Sequence, residues 1–363
     1  MSNGDPKAGQ DGASPSRRAI LAGGLALAAA AVEPASAQTA PPGTPPAAPP
    51  ATPTPPRSRD FDAVARLGQR LCNLRKGDGY GVGVELDRGV LDLSATAERL
   101  RLPAPRDVDD LLQNGRGAEV GAILAAIEAR PDAAVLLAPA NARFAPLVTR
   151  PGKILCIGFN YREHAAETNT PIPKAPPIFC KFSTSLNHHG GTVKLPTSLD
   201  YQFDYETELV LVFGRECSNA SEEDALSYLA GYATGNDLSA RQLQTITSQF
   251  TAGKAIDGFA PLGPWLGTRQ RVADPHKLRL TTRMNGALRQ NWTTSDMIYN
   301  CNKLIAYASA IMTLKPGDIM FTGTPQGVIL GQKIPAVERR WLRPGDEVVS
   351  ELEGLGELKV TMA

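Results

Sequence analysis

Two glutamates, Glu206 and Glu208, stand two residues apart in the run Asp-Tyr-Glu-Thr-Glu-Leu-Val-Leu-Val-Phe over 204–213. In a strand, whose side chains alternate between faces, both carboxylates point the same way, roughly 7 Å apart. Two anions on a partly buried face repel unless a cation lies between them. Asp237, in Gly-Asn-Asp-Leu-Ser-Ala-Arg over 235–241, offers a third carboxylate, and three oxygen ligands suit a hard divalent cation. The ordinary alternatives are a charged solvent face on an edge strand for the glutamates and a helix cap for Asp237. Val210 and Val212 continue the glutamates' face, which places the carboxylates at the rim of an apolar stripe.

Other polar residues converge on the same chemistry. If the chain is helical from Ser239, Arg241 and Gln244 lie three residues apart on one face, bringing a cation and an amide to the Asp237 end. Lys254 follows Gly253 and reads either as a site cation or as a solvated surface lysine. His164 and Glu167 are spaced i,i+3. On a helical turn the carboxylate orients the imidazole and raises its basicity, giving a general base for water, and an exposed surface pair is the alternative. The proline-rich stretch 168–177 reads as a flap beside that pair. Gly323-Thr324-Pro325-Gln326-Gly327 is either a plain turn or a loop whose hydroxyl and amides bind a carboxylate. His188 and His189 are adjacent, point apart and have no third ligand nearby, so they do not read as a site.

The elements that must position these groups are short. From Lys153 onward, apolar runs at 154–158, 178–182, 209–213, 231–234, 278–284, 319–321 and 347–352 alternate with Gly and Pro, the pattern of a β-rich domain. Helical stretches are expected at 225–229, 239–249 and 294–312. Residues 59–150 read as a small N-terminal α+β domain, with helices over 61–71 and 108–129 and strands over 79–86 and 134–138. No dinucleotide fingerprint or Walker-type loop is present, so a nucleotide cofactor has no support.

Composition bounds the partners. In 363 residues, 38 Lys and Arg nearly balance 37 Asp and Glu, which gives no electrostatic case for nucleic acid or an anionic membrane and favours a small-molecule partner. Residues 1–37 carry a secretory pattern: Arg17-Arg18, an apolar run over 19–32, and Ala35-Ser36-Ala37 as a cleavage site. It reads as a twin-arginine-type signal that places the protein in the periplasm. The run is too short and too rich in Ala and Gly for a membrane span, an uncleaved anchor being the alternative, so the mature chain has no membrane contact. Residues 38–58 form a linker with nine prolines between Pro41 and Pro56, an extended spacer. The five cysteines form an odd set without CxxC spacing, expected as buried thiols, Cys156 and Cys180 within buried strands.

Taken together, these segments resemble the fumarylacetoacetate hydrolase family in its shorter bacterial form. The resemblance runs from about Lys153 to Val360 and rests on Gly-Phe-Asn-Tyr with His164 and Glu167, Glu206-x-Glu208, Asn-Asp-Leu-Ser-Ala-Arg, Gly253-Lys254, and Gly-Asp-Ile-Met-Phe-Thr-Gly-Thr-Pro over 317–325. It implies an α+β, β-rich fold with a mixed β-sandwich or β-roll catalytic domain over 151–363, assembled as a homodimer. It implies Mg²⁺ or Mn²⁺ held by Glu206, Glu208 and Asp237, and a water-activating dyad of His164 and Glu167. Lys254, Arg241 and Gln244 are then expected around the reacting carbonyl, and Tyr161, Lys181 and Thr324 in contact with substrate. Longer members have a fourth carboxylate ligand where this chain has Ile157, so a three-carboxylate site is expected.

The implied activity is hydrolysis of a carbon–carbon bond in a β-diketo acid of acylpyruvate type, through a metal-chelated enolate. Isomerases of the 2-hydroxyhepta-2,4-diene-1,7-dioate type and 2-oxo acid decarboxylases use the same site and are the alternatives. A non-catalytic periplasmic protein that binds a dicarboxylate or metal is a reading of another class. N-terminal sequencing of the exported chain is expected to begin at Gln38, and a mature chain that starts at Met1 contradicts the cleaved signal.

Overall fold

The computed structural model describes residues 59–363. The signal expected over 1–37 and the linker over 38–58 lie outside the described residues. Residues 59–363 belong to one compact unit. Its main layer is a ten-stranded sheet in the order Leu136–Leu137, Gly89–Asp92, Gly79–Leu86, Arg70–Lys76, Trp265–Thr268, Leu229–Asn236, Thr207–Phe213, Ile319–Phe321, Ile154–Ile157, Ile178–Lys181. All neighbours are antiparallel except Ile319–Phe321 against Ile154–Ile157. A second, five-stranded sheet runs Ala287–Thr293, Arg279–Met284, Glu347–Leu352, Gly356–Met362, Gly191–Val193.

The strand Thr207–Phe213 is central, and every residue in it is buried. Val210 and Val212 pack with Val82, Val84 and Ile123 of the helices and strands in the first half of the chain. Leu209, Leu211 and Phe213 pack on the opposite side, against Leu304 and Ile305 of the helix Cys301–Ile311 and Leu280 and Leu352 of the second sheet. A strand covered on both faces has no wet side, so carboxylates at its start are buried too. The edge-strand reading of Glu206 and Glu208 is thereby excluded.

Several expected helices are shorter than the apolar periodicity suggests, for local reasons. The stretch 108–129 is two helices, Val108–Gln113 and Gly117–Ala129, because Gly115 takes a left-handed φ of 62° between them. The stretch 294–312 is helical only over Cys301–Ile311, where the Asn300 side chain accepts the Lys303 N–H and sets the first turn. The helix read over 61–71 stops at Arg66, and the chain enters the strand Arg70–Lys76. The stretch 239–249 is helical only over Arg241–Thr245, and 225–229 forms a 3₁₀ turn, Ala225–Tyr228. Among the described residues no helix is long and apolar enough to cross a membrane.

Four of the five cysteines are buried, as expected, but Cys180 is exposed. Its apolar run is the last strand of the large sheet, which has no neighbour on its outer side. Asp109, fully buried, ties the first half of the chain together by accepting the Thr149 N–H and hydroxyl at 2.9 and 2.7 Å and the Arg150 N–H at 2.9 Å. Asp109→Ala leaves two backbone donors without their acceptor and is expected to destabilise by about 2–4 kcal/mol. A denaturation midpoint equal to that of the parent chain contradicts this.

Candidate active site

Strand pairing brings the three carboxylates together. Thr207 lies opposite Asn236, the Asn236 side chain accepts the Glu206 N–H at 3.0 Å, and the Asp237 N–H donates to the Glu206 carbonyl at 2.9 Å. Glu206, Glu208 and Asp237 are all buried and offer oxygen atoms within 4.8 Å of one another. Asp237 is therefore not a helix cap: its carboxylate faces the other two.

Burial at this density demands positive charge. Lys254, at the end of the short helix Thr251–Lys254, donates to Glu206 Oε2 at 2.5 Å and to Asp237 Oδ2 at 2.8 Å. Arg241 lies 2.7 Å from Glu206 Oε1, and its Nε and Nη2 reach Asp204 Oδ2 at 3.0 and 2.8 Å. Its Nη1 donates to Gln244 Oε1 at 3.0 Å. Burial pushes the Glu206 carboxyl up, but Lys254 and Arg241 outweigh it and hold the pKa at about 2. The same pairings raise Lys254 and Arg241 above their ordinary values despite the opposing effect of burial.

Four carboxylates, Asp204, Glu206, Glu208 and Asp237, thus face three cations, Lys181, Arg241 and Lys254. Glu208 is the unmatched one. It is 1% exposed, and among the described residues its only donor is the Gly323 N–H, 2.7 Å from Oε2. Burial, then Asp237 and Glu206, push its carboxyl well above the usual range. Asp237 Oδ1 lies 2.6 Å from Lys181 Nζ at an angle that forms no hydrogen bond, so it too keeps a free lone pair. An uncompensated carboxylate beside an orphaned carboxylate oxygen is what a divalent cation requires, and the all-oxygen donor set fits Mg²⁺ or Mn²⁺. Ile157 lines the same cavity, which leaves three carboxylates there.

The second component stands across the cavity. His164 and Glu167 lie on the one-turn helix Arg162–Glu167, with Nδ1 2.8 Å from Glu167 Oε1. A carboxylate only accepts, so Nδ1 carries the hydrogen of the neutral ring and Nε2 keeps its lone pair. Glu167 is fixed in turn by the Gly327 N–H, 3.0 Å from Oε2. Gly331 leaves the carboxylate its space: a Cβ there would meet Glu167 Cδ at 2.2 Å. His164 is buried and Glu167 half-buried, so this is not a free surface pair.

The cavity, of about 510 Å³, is lined at its polar end by His164, Glu206, Glu208, Asp237 and Lys254 and elsewhere by Phe159, Phe179 and Phe250. Arg241, Gln244 and Thr324 also line it. The Thr324 hydroxyl donates to the Thr207 carbonyl at 2.9 Å and accepts from Gln290 at 2.9 Å. Thr168, Asn169 and Thr170, from the stretch read as a flap, border it as well. His188 and His189 bond to backbone carbonyls away from it.

Two expected substrate contacts are corrected. Lys181 is fully buried behind Asp237 and donates to the carbonyls of Leu238, Phe259 and Lys254, so it supports the carboxylate instead of facing a ligand. Tyr161 is buried beneath the site, does not line the cavity, and its hydroxyl has no recorded partner. Asp204 was missed as a functional residue. Besides Arg241, it accepts the N–H groups of Ile329 and Leu330 at 2.8 and 2.9 Å. Its spacing of two from Glu206 was the available signal.

The geometry makes a candidate acid–base site beside a candidate divalent-cation position. Residues 153–363 match the family described as Fumarylacetoacetate (FAA) hydrolase C-terminal, and the chain belongs to the fumarylacetoacetate hydrolase family. It is 36% identical over 306 residues to the mitochondrial oxaloacetate tautomerase of Xenopus laevis, covering 83% of this chain and 92% of that one. Among solved structures it resembles the fumarylacetoacetate hydrolase of Exiguobacterium antarcticum, with TM-score 0.65, 28% identity, and 81% and 99% of the two chains covered. It also resembles the maleylpyruvate hydrolase of Sphingobium sp. SYK-6 in complex with manganese(II) and pyruvate, with TM-score 0.64, 28% identity, and 81% and 98% covered. The fold is of the type expected, and the chain is an enzyme of this hydrolase and isomerase family, which sets aside the non-catalytic binding protein.

Burial and the neighbouring carboxylates raise the proton affinity of Glu208, so a cation bound there competes with that proton. Affinity for Mn²⁺ measured by calorimetry is expected to rise with pH, by about tenfold per unit while that proton is displaced. Glu208→Gln is expected to remove the slope and weaken binding. A pH-independent affinity in the parent chain contradicts the assignment.

Proposed function

We propose that the chain moves a proton at the carbon beside the keto group of a small 2-oxo acid, interconverting its keto and enol forms, with Mg²⁺ or Mn²⁺ held by Glu206, Glu208 and Asp237. The observation that carries this reading is a His–Glu pair facing three buried carboxylates across one small cavity. When bound, the cation supplies positive charge to the carboxylate and keto oxygens of the substrate.

The chain's own groups do the rest. His164 Nε2 takes the proton from carbon, and Glu167 accepts the Nδ1–H and stabilises the imidazolium that forms. The ring then returns the proton to oxygen or carbon. Lys254 and Arg241 keep Glu206 anionic. Phe179 and Phe250, in edge-to-face contact at 5.6 Å, make the adjoining wall apolar and limit water.

Carbon–carbon hydrolysis of an acylpyruvate-type acid is the second reading. It needs the same base to take its proton from water instead of carbon, and it draws support from the likeness to a maleylpyruvate hydrolase with manganese(II) and pyruvate. Tautomerisation is placed first because the relative named as a tautomerase is 36% identical, against 28% for the maleylpyruvate hydrolase. Location in the periplasm and assembly as a homodimer are part of the proposal, resting on the signal pattern and the family.

Enol oxaloacetate is expected to ketonise faster with the Mn²⁺-loaded enzyme than without it, whereas pyruvate release from an acylpyruvate without ketonisation favours the second reading. His164→Asn is expected to lower kcat by roughly 10²–10⁴ with Mn²⁺ affinity unchanged. An unchanged kcat removes the dyad from either reaction.

A further inference from the structure

Four Lys and Arg side chains line the cavity, and they divide into two pairs. Arg241 and Lys254 are consumed by Asp204, Glu206 and Asp237. Lys333 and Arg339 have no carboxylate partner among the described residues: the recorded contacts are Lys333 Nζ to the Glu167 carbonyl oxygen and Arg339 Nε to the Ile334 carbonyl at 3.0 Å. Both border the cavity, Lys333 exposed and Arg339 half-buried, with donors that no carboxylate among the described residues takes.

Arg339 is poised for that role. It is half-buried, with its guanidinium 5.7 Å from the centre of the Trp341 ring, a cation–π contact that fixes the plane. With Nε occupied, the two terminal amino groups remain as a fork, the arrangement that matches a carboxylate through two parallel hydrogen bonds. The segment that carries both cations is itself held. Its start is pinned by the Ile329 and Leu330 N–H groups on Asp204, and its end by the Leu342 N–H, which donates to the Phe203 carbonyl at 2.9 Å. Asp204 also grips Arg241, so one carboxylate registers this segment against the cation position. Leu330 and Ile334 line the cavity as well and give it an apolar surface suited to a short carbon chain.

We propose that Arg339, assisted by Lys333, forms a second anion subsite that takes the distal carboxylate of a 2-oxo dicarboxylate whose keto-acid end lies at Glu206, Glu208 and Asp237. This inference rests on the 2-oxo-acid reading of the site and narrows it to substrates with a charge at each end. Arg339 sets specificity and takes no part in the proton transfer.

The test is binding, which does not depend on turnover. Pyruvate, oxaloacetate and 2-oxoglutarate are titrated by calorimetry into the Mn²⁺-loaded full chain, its Arg339→Gln variant and the Arg339→Gln/Lys333→Gln double variant. In the parent chain at least one dicarboxylate is expected to bind roughly 10- to 100-fold more tightly than pyruvate. Arg339→Gln is expected to remove most of that advantage, the double variant all of it, and both to leave pyruvate binding as it was. A dicarboxylate advantage that survives in the double variant, or is absent in the parent, overturns the subsite while pyruvate binding upholds the 2-oxo-acid reading. An equal loss for pyruvate and dicarboxylates assigns Arg339 a structural role and overturns it too. Failure of all three acids to bind the parent overturns the 2-oxo-acid reading and the subsite with it.

Discussion

The structure depends on a surplus of negative charge buried at the start of a strand that is packed on both faces. Glu206 precedes and Glu208 lies within Thr207–Phe213, whose every residue is buried, so both carboxylates are largely withdrawn from bulk water. Lys254, Arg241 and Lys181 are drawn inward to answer them, at the cost of their own desolvation. Removing one partner from such a buried pair typically costs about 3–5 kcal/mol, so the cluster is as much a structural commitment as a chemical one. Glu208 has no ion-pair partner among the described residues, and that gap makes the cluster a candidate cation site rather than a closed salt-bridge network.

The surrounding architecture keeps this cluster in register. The second sheet reaches it through a chain of buried polar groups. The Thr207 hydroxyl meets those of Thr282 and Ser350 at 2.5 and 2.6 Å, and Asn236 donates to Ser350 at 2.9 Å. Gln290 accepts the Thr207 N–H and donates to Thr324 and the Pro325 carbonyl. A half-satisfied network of this kind is worse than an apolar core, whereas a fully bonded one fixes a single arrangement. It ties the carboxylate-bearing strand to the loop over 323–327, and that loop fixes Glu167 through Gly327. The base and the cation position, on different elements, are therefore held to one geometry.

Much of this was legible in the sequence because it depended on short spacing. A period of two placed Glu206 and Glu208 together, a helical turn joined His164 to Glu167, and Arg241 met Gln244 at i,i+3. What was not legible depended on who sits next to whom across the sheet. Lys181 faces Asp237 and not the cavity because the strand Ile178–Lys181 ends behind the site. Cys180 is exposed because that strand happens to be the last. The spacing of two from Glu206 pointed to Asp204, yet its partners Ile329, Leu330 and Arg241 come from elsewhere in the chain, so which segments it ties together was not readable from that run. Helix lengths were over-read where one capping side chain or one left-handed glycine cut an apolar pattern short.

The central claim, that these buried carboxylates exist to hold one divalent ion, is tested most directly by anomalous diffraction from crystals of the protein soaked in Mn²⁺. The account predicts a single strong peak within bonding distance of Glu206, Glu208 and Asp237, with oxygen ligands only and open positions towards His164. A map with no peak there, in which Lys254 still bridges Glu206 and Asp237, or with the ion bound elsewhere, contradicts it.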